Sequence, residues 1–300
     1  MLIISKLDEF TASSPTSVAL GRFDGVHLAH KKVIEAAVGF EHTLPTVFTF
    51  EQSPHGVLTG DMVYSLQTLK QRRDMIESLG VQLYVCPNFN DVRDMLPEEF
   101  VLMLKERLNV KHISCGFNFT FGKYGKGNAA VLKEICAKYD IALSVAAPIE
   151  SNGEPVSSSA IRHYIENGDM QRASDMLGYR FYIDFLVLSG DKRGRTLDFP
   201  TINQKIPHTF IHPKYGVYAT KTLVSGKWYK SVSNVGIRPT VGSDYPRCET
   251  FILGYSGDLY GDSVKVEFYR FLRPEHTFSD LNELQAAIAN DANTALTEIY

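Results

Sequence analysis

The chain has 300 residues, 44% of them hydrophobic and 22% charged, with a formal net charge of −3. That length predicts about two domains, the composition excludes a disordered or fibrous chain, and the acidic balance excludes a global basic field for nucleic acid. The longest apolar runs, such as 141–148, are too short to cross a bilayer, the N-terminus lacks a basic signal-peptide region, and the four cysteines (Cys86, Cys115, Cys136, Cys248) form no C-x-x-C, so the expectation is a cytoplasmic protein with reduced thiols that binds neither nucleic acid nor membrane.

Residues 1–178 alternate two patterns. Short apolar runs at Ser17–Leu20, Thr46–Phe50, Val81–Cys86, His112–Cys115 and Ile141–Ala146 predict buried strands. Between them, helices are predicted at Lys31–Val38, at Ser65–Leu79 with Ser65 as N-cap, at Pro97–Leu108, and at Asn128–Tyr139 with Asn128 as cap. Lys70-Gln-Arg-Arg73 reads as the solvated basic face of its helix. A last helix, Asp169–Leu177, ends at Gly178. Strands buried on both faces and alternating with helices imply a doubly wound parallel sheet, whose ligands bind beyond the carboxyl ends of the strands.

Three loops of this half carry chemistry. Leu20-Gly-Arg-Phe-Asp-Gly-Val-His-Leu-Ala-His30 runs from a strand through a glycine turn to two histidines at a helix start. Free N–H groups and the positive dipole end there favour a phosphate; a solvated turn is the competing reading, since short motifs recur by chance. Gly116–Gly127 holds four glycines, three phenylalanines, a tyrosine and two lysines, suited to a close approach by a ring system or to plugging the core. Val156-Ser-Ser-Ser-Ala-Ile-Arg162 opens a helix with hydroxyls and sets a guanidinium one turn along, as a phosphate site or as an ordinary cap.

After Gly178 strands dominate: Phe181–Leu188, Gly216–Val224, Trp228–Val235, Thr250–Leu253 and Ser263–Phe271, with a hairpin turn at Ser225-Gly226. One helix follows, Ser279–Glu298, with Ser279 as cap. Strands closed by a helix predict a small antiparallel β-barrel, which divides the chain into domains 1–180 and 181–300. Gly190–Asn203 combines glycines and bases suited to a polyphosphate. On an extended segment Thr201 and Asn203 point the same way and offer hard oxygen ligands to Mg²⁺. Glu249, opening a strand, is a carboxylate able to take a proton from a hydroxyl, or a solvated strand-end residue.

Taken in order, Gly21–His30, Gly116–Gly122, Ser157–Arg162, Gly194–Asn203, Gly216–Tyr218, Asn234–Thr240, Asp258–Gly261 and Leu272-Arg273 resemble the bacterial bifunctional riboflavin kinase/FMN adenylyltransferase (FAD synthetase) family over nearly the whole length. The resemblance implies an N-terminal nucleotidyltransferase that moves AMP from ATP to FMN, giving FAD and pyrophosphate. It implies a C-terminal kinase that moves the γ-phosphate of ATP to riboflavin, giving FMN. His27 and His30 would act at the phosphates and Glu249 as general base. The family's ATP and flavin contacts fall on Gly21, Phe23, Asp24, Gly25, Asn118, Ser157, Ser158 and Arg162 in the first half. In the second they fall on Gly194, Arg195, Pro200, Thr201, Asn203 and Arg238, with Thr201 and Asn203 on Mg²⁺. The chain departs from the family at Arg22, at Ala29 (the glycine of H-x-G-H), in Phe50–His55 and at Asp198. A member with one working site, a flavin or nucleotide sensor without turnover, and a cytidylyltransferase that fits the first half alone stay as alternatives. The sequence leaves the oligomeric state open.

Overall fold

The structure, a computed structural model, describes residues 1–188, 199–237 and 245–298. It forms two compact units, Met1–Ser158 and Ser159–Tyr300.

The first unit carries β1 (Leu2–Ile4), β2 (Thr16–Leu20), β3 (Leu44–Phe48), β4 (Leu83–Val85), β5 (Val110–Gly116) and β6 (Ala142–Ala146). Its helices are α1 (Leu28–Val38), α2 (Pro54–Thr59), α3 (Leu69–Ser78), α4 (Phe89–Val92), α5 (Pro97–Leu108) and α6 (Ala129–Lys138), and a short hairpin of β7 (Glu150–Ser151) and β8 (Glu154–Pro155) follows. The six strands run parallel in the order β1-β4-β3-β2-β5-β6. The chain steps outward from β2 through β3 and β4, then returns to set β5 on the other side of β2. The order therefore reverses between β2 and β5, which is where such sheets open a ligand crevice.

Alternation along β2 builds the two cores. Val18 and Leu20 pack with Leu104 and Leu108 of α5 and Leu132 of α6. Ala19 packs on the opposite face with Val33 and Ile34 of α1 and Ile76 of α3. Each large apolar side chain buried this way contributes about 1.5–3 kcal/mol. One polar group crosses the sheet: the ring of buried His112 bonds Ser17 Oγ through Nδ1 (2.7 Å) and Ser144 Oγ through Nε2 (2.8 Å), and stacks on Phe40. Burial lowers the His112 pKa.

Two expectations change here. The helix predicted from Ser65 starts after Thr68, because Thr68 and Gln71 form a reciprocal capping box. The basic run inside it is not a solvated face, since Gln71 and Arg72 are buried.

In the second unit lie most of α7 (Ser158–Asn167) and all of α8 (Met170–Leu177). Asp169 caps α8 and Gly178 ends it in the left-handed region. The strands are β9 (Tyr182–Ile183), β10 (Val187–Leu188), β11 (Thr201–Lys205), β12 (Gly216–Val224), β13 (Lys227–Ile237), β14 (Pro246–Ile252) and β15 (Lys265–Arg273), ahead of α9 (Leu281–Glu298). They pair antiparallel in the order β10-β11-β14-β13-β12-β15-β9. Because β9 and β10 adjoin in sequence yet pair at opposite ends, the sheet closes into a barrel. The units divide after Ser158, where the sequence suggests 180/181, because Lys214 N–H bonds the Ile165 carbonyl and α8 packs on β15.

The barrel interior holds a ladder of buried hydroxyls. Thr222, Ser231, Thr220, Ser233 and Thr250 link in that order through O···O distances of 2.7–2.9 Å. Outside, α9 is capped by Asp280, which accepts from Glu283 N–H, rather than by Ser279, which itself donates to Glu283. Arg273 of β15 grips Asp291 of α9 through Nε and Nη2, at 2.8–3.1 Å.

Candidate active sites

In the first unit the loop after β2 lies beside the reversal of strand order. It is strained: Phe23 and Val26 hold φ of +54° and +36°, and Gly25 +86°. A β-branched residue at positive φ is costly and persists where its surroundings impose it, commonly at functional sites. A Cβ at Gly21 would meet the Phe23 ring. Phe23 is fully buried, so it supports the loop from beneath. Asp24, also buried, accepts from Leu66 N–H through Oδ1 (2.9 Å) and faces Arg22 Nη2 through Oδ2 (3.8 Å).

His27 is the N-cap of α1, and its Nδ1 accepts from His30 N–H at 3.3 Å. That bond leaves the neutral ring's proton on Nε2. The two imidazoles stack with centroids 3.5 Å apart, and Phe23 meets His30 edge-on at 5.4 Å. His30 Nδ1 is closed from solvent without a hydrogen-bond partner among the described residues. Burial, then the neighbouring His27, Arg22 and Arg72, hold the His30 pKa well below its ordinary value. Ser158 Oγ donates to the Asp24 carbonyl at 2.8 Å, which brings the Ser157-Ser158 pair to the histidine loop. Arg162 sits one turn along α7.

After β5, Phe119 and Phe121 stack on each other and pack into the core, while Phe117 stays exposed beside exposed Asn118. Of the loop's four aromatics, Phe117 and Tyr124 thus keep an exposed face.

In the second unit the register aligns Asn203 of β11 with Glu249 of β14, and Glu249 with Asn234 of β13. Directly opposed residues of antiparallel strands share a face, with Cβ atoms about 5 Å apart, so these three form one polar row. Thr201 lies opposite Phe251, which Phe199 meets edge-on. Asn234 Nδ2 donates to Glu275 Oε1 at 3.1 Å. Pro200 is exposed directly before β11. Gly194, Arg195, Asp198 and Arg238 lie outside the described residues.

Thr201 and Asn203 fit Mg²⁺ as hard, neutral oxygen donors, an ion that takes its other ligands from phosphates and water. Among the described residues no group of His, Cys, Asp and Glu side chains could hold a metal by itself. No described helix is long and apolar enough to cross a membrane. Arg72 is buried with its Nη1 on the carbonyl of Arg22 in the histidine loop, although its neighbours in sequence are basic and polar and nothing local signals its burial.

Known proteins match both units. An FAD synthetase family model matches residues 9–160 and a riboflavin kinase model matches 177–299. The bifunctional riboflavin kinase/FMN adenylyltransferase of Bacillus subtilis is 35% identical over 93% of this chain and 91% of its own. The Escherichia coli K12 protein of the same name is 30% identical, covering 93% and 91%. A Streptococcus pneumoniae crystal structure described as a macrolide-efflux protein superimposes with a TM-score of 0.89 at 26% identity, over 99% of this chain and 98% of that one.

Proposed function

The chain belongs to the bifunctional riboflavin kinase/FMN adenylyltransferase family, and from that premise we propose which residues carry its two ATP-dependent transfers, riboflavin to FMN and FMN to FAD, in the cytoplasm.

For adenylyl transfer, the phosphate of FMN attacks the α-phosphorus of ATP and pyrophosphate leaves. The phosphates lie at the N-terminus of α1, where backbone N–H groups and the dipole favour them. His27, donating from Nε2, and His30 stabilise the charge that develops on the phosphoryl oxygens. Gly21, Asp24 and Gly25 shape the loop around Phe23, and Ser157 and Ser158 supply further donors; Arg162 belongs to the ATP-phosphate motif by sequence. Phe117 and Asn118 meet the flavin. The stacked histidine pair on a strained loop beside the strand-order reversal carries this reading.

For phosphorylation, Glu249 takes the proton of the riboflavin 5′-hydroxyl as the hydroxyl oxygen attacks the γ-phosphorus of ATP and ADP leaves with the β–γ bridging oxygen. Its row with Asn203 and Asn234 sets the carboxylate on the same face as two amides. Thr201 and Asn203 would hold Mg²⁺, which would supply neutralisation of the phosphate charge. Pro200, Gly194, Arg195 and Arg238 belong to the ATP loops by motif.

The test resolves flavins by chromatography after incubation with riboflavin, ATP and Mg²⁺. FAD supports both sites. FMN alone leaves only the kinase, and no product leaves a binding protein. His30→Ala loses FAD while keeping FMN, and Glu249→Ala loses FMN formation while still adenylylating supplied FMN. Loss of both activities from either single change, in a folded protein, would overturn the assignment.

A further inference from the structure

Arg72 is a buried cation that no carboxylate among the described residues neutralises. The residue is 5% exposed. Its Nη1 donates to the Arg22 carbonyl (3.1 Å) and Nη2 to the Phe50 carbonyl (3.0 Å), while Nε is closed from solvent without a partner among the described residues. Those carbonyls directly follow the adjacent strands β2 and β3, so the guanidinium sits at the carboxyl edge of the sheet. Burying an ion costs several kcal/mol, and buried charges are ordinarily paired. Two carbonyl dipoles offset part of that cost and none of the net charge.

The surrounding charges do not cancel it. Arg22 faces Asp24, and Arg73 pairs with Glu51, so each of those cations has its own carboxylate. Two more buried polar atoms here lack partners among the described residues, His30 Nδ1 and Arg73 Nε, while the hydroxyl of Tyr84, whose ring lies 5.6 Å from Arg73, faces Arg72 itself. Both unpartnered atoms can donate. The region therefore combines an uncancelled positive charge with idle donors, a combination suited to a polyphosphate.

We propose that Arg72 is a positioning residue for adenylyl transfer: it locks the two loops that follow β2 and β3, and its charge sets the field in which the His30 imidazole meets the nucleotide phosphates. This inference rests on the assignment of that transfer to the histidine loop. A fixed charge beside His30 opposes protonation of the ring, in the same direction as burial and as the His27 and Arg22 contributions, while Asp24 faces Arg22. His30 then acts as a neutral imidazole, and the cationic work falls to arginine, whose charge does not titrate.

Two substitutions separate charge from clamp. Arg72→Lys keeps the charge and loses the fork that spans two carbonyls. Arg72→Gln keeps donors and loses the charge. The readouts are kcat for FMN to FAD at saturating ATP, riboflavin phosphorylation on the same sample, and the His30 titration midpoint by NMR on histidine-labelled protein. Arg72→Gln is expected to lower adenylylation about tenfold or more, given that electrostatic groups contribute at this scale, to raise the His30 midpoint, and to leave phosphorylation unchanged. Arg72→Lys is expected to keep most of the rate and the low midpoint. Equal loss in both variants, or an unmoved midpoint in Arg72→Gln, reduces Arg72 to a clamp and overturns the proposal. His30→Ala on the same assay tells the two failures apart: if it keeps FAD formation, the site assignment itself falls.

Discussion

Arg273→Met is expected to release α9 from the barrel. Arg273 gives Asp291 three N–H···O contacts of 2.8–3.1 Å, and Asp291 is 4% exposed. Removing the guanidinium leaves a carboxylate buried without its cation, which costs about 3–5 kcal/mol for fully buried pairs. The Arg273 side chain keeps 28% of its surface in water, so the lower end, about 3 kcal/mol, applies. For a unit of this size that corresponds to a Tm lower by about 10 °C. Thermal unfolding followed by circular dichroism measures it, with phosphorylation of riboflavin read on the same sample. Met cannot bond the carboxylate, whereas Arg273→Met with Asp291→Leu removes both charges and should recover most of the loss. A Tm within about 2 °C of wild type for the single variant, or a double variant no more stable than the single, would refute the reasoning.

Three further outcomes are expected. Stability should fall as pH drops below 6.5, the ordinary histidine value, because the unfolded chain takes up a proton that buried His112 refuses; the contribution is complete above that pH and is lost toward the folded pKa, by up to about 1.4 kcal/mol per pH unit. His30 acts in the same direction, so urea unfolding at several pH values should compare wild type with His112→Gln, whose pH dependence should be weaker. Gly25→Val should lower FAD formation sharply while leaving FMN formation intact, since a β-branched side chain at φ +86° strains the histidine loop by about 1–3 kcal/mol; coupled flavin chromatography reads both. Ala29→Gly should leave the adenylylation rate within about threefold, because the methyl lies on the partly exposed first turn of α1, and a helix-interior glycine costs only about 1 kcal/mol in stability.

Local chemistry made much of this legible. Asn128 and Asp169 cap α6 and α8 as their side chains allow, and Ser225-Gly226, both at positive φ, turn the β12–β13 hairpin. The alternation in β2 and β14 follows from which faces are covered. What escaped depends on distant partners. β1 is an edge strand with Leu2 and Ile3 exposed, held by pairing to residues eighty positions on. Ser65 and Thr68 are equal caps by type, and only Gln71 three residues beyond Thr68 breaks the tie. Arg72 looks like its neighbour Lys70 until β2 and β3 supply two carbonyls to receive it.

The hydroxyl ladder inside the barrel constrains how this sequence can drift. The three inner members each touch two others and the end members one, so changing Ser231 alone to alanine takes from Thr222 its one ladder partner while Thr220 keeps Ser233, at about 1–3 kcal/mol for the unsatisfied group. Thr220, touching both serines, is the hinge of that dependence. An oily interior of the same volume would serve the fold as well, yet every single step toward it passes through a weakened intermediate. The lining can change only as a set, which makes these five positions a historical lock: they are held by one another.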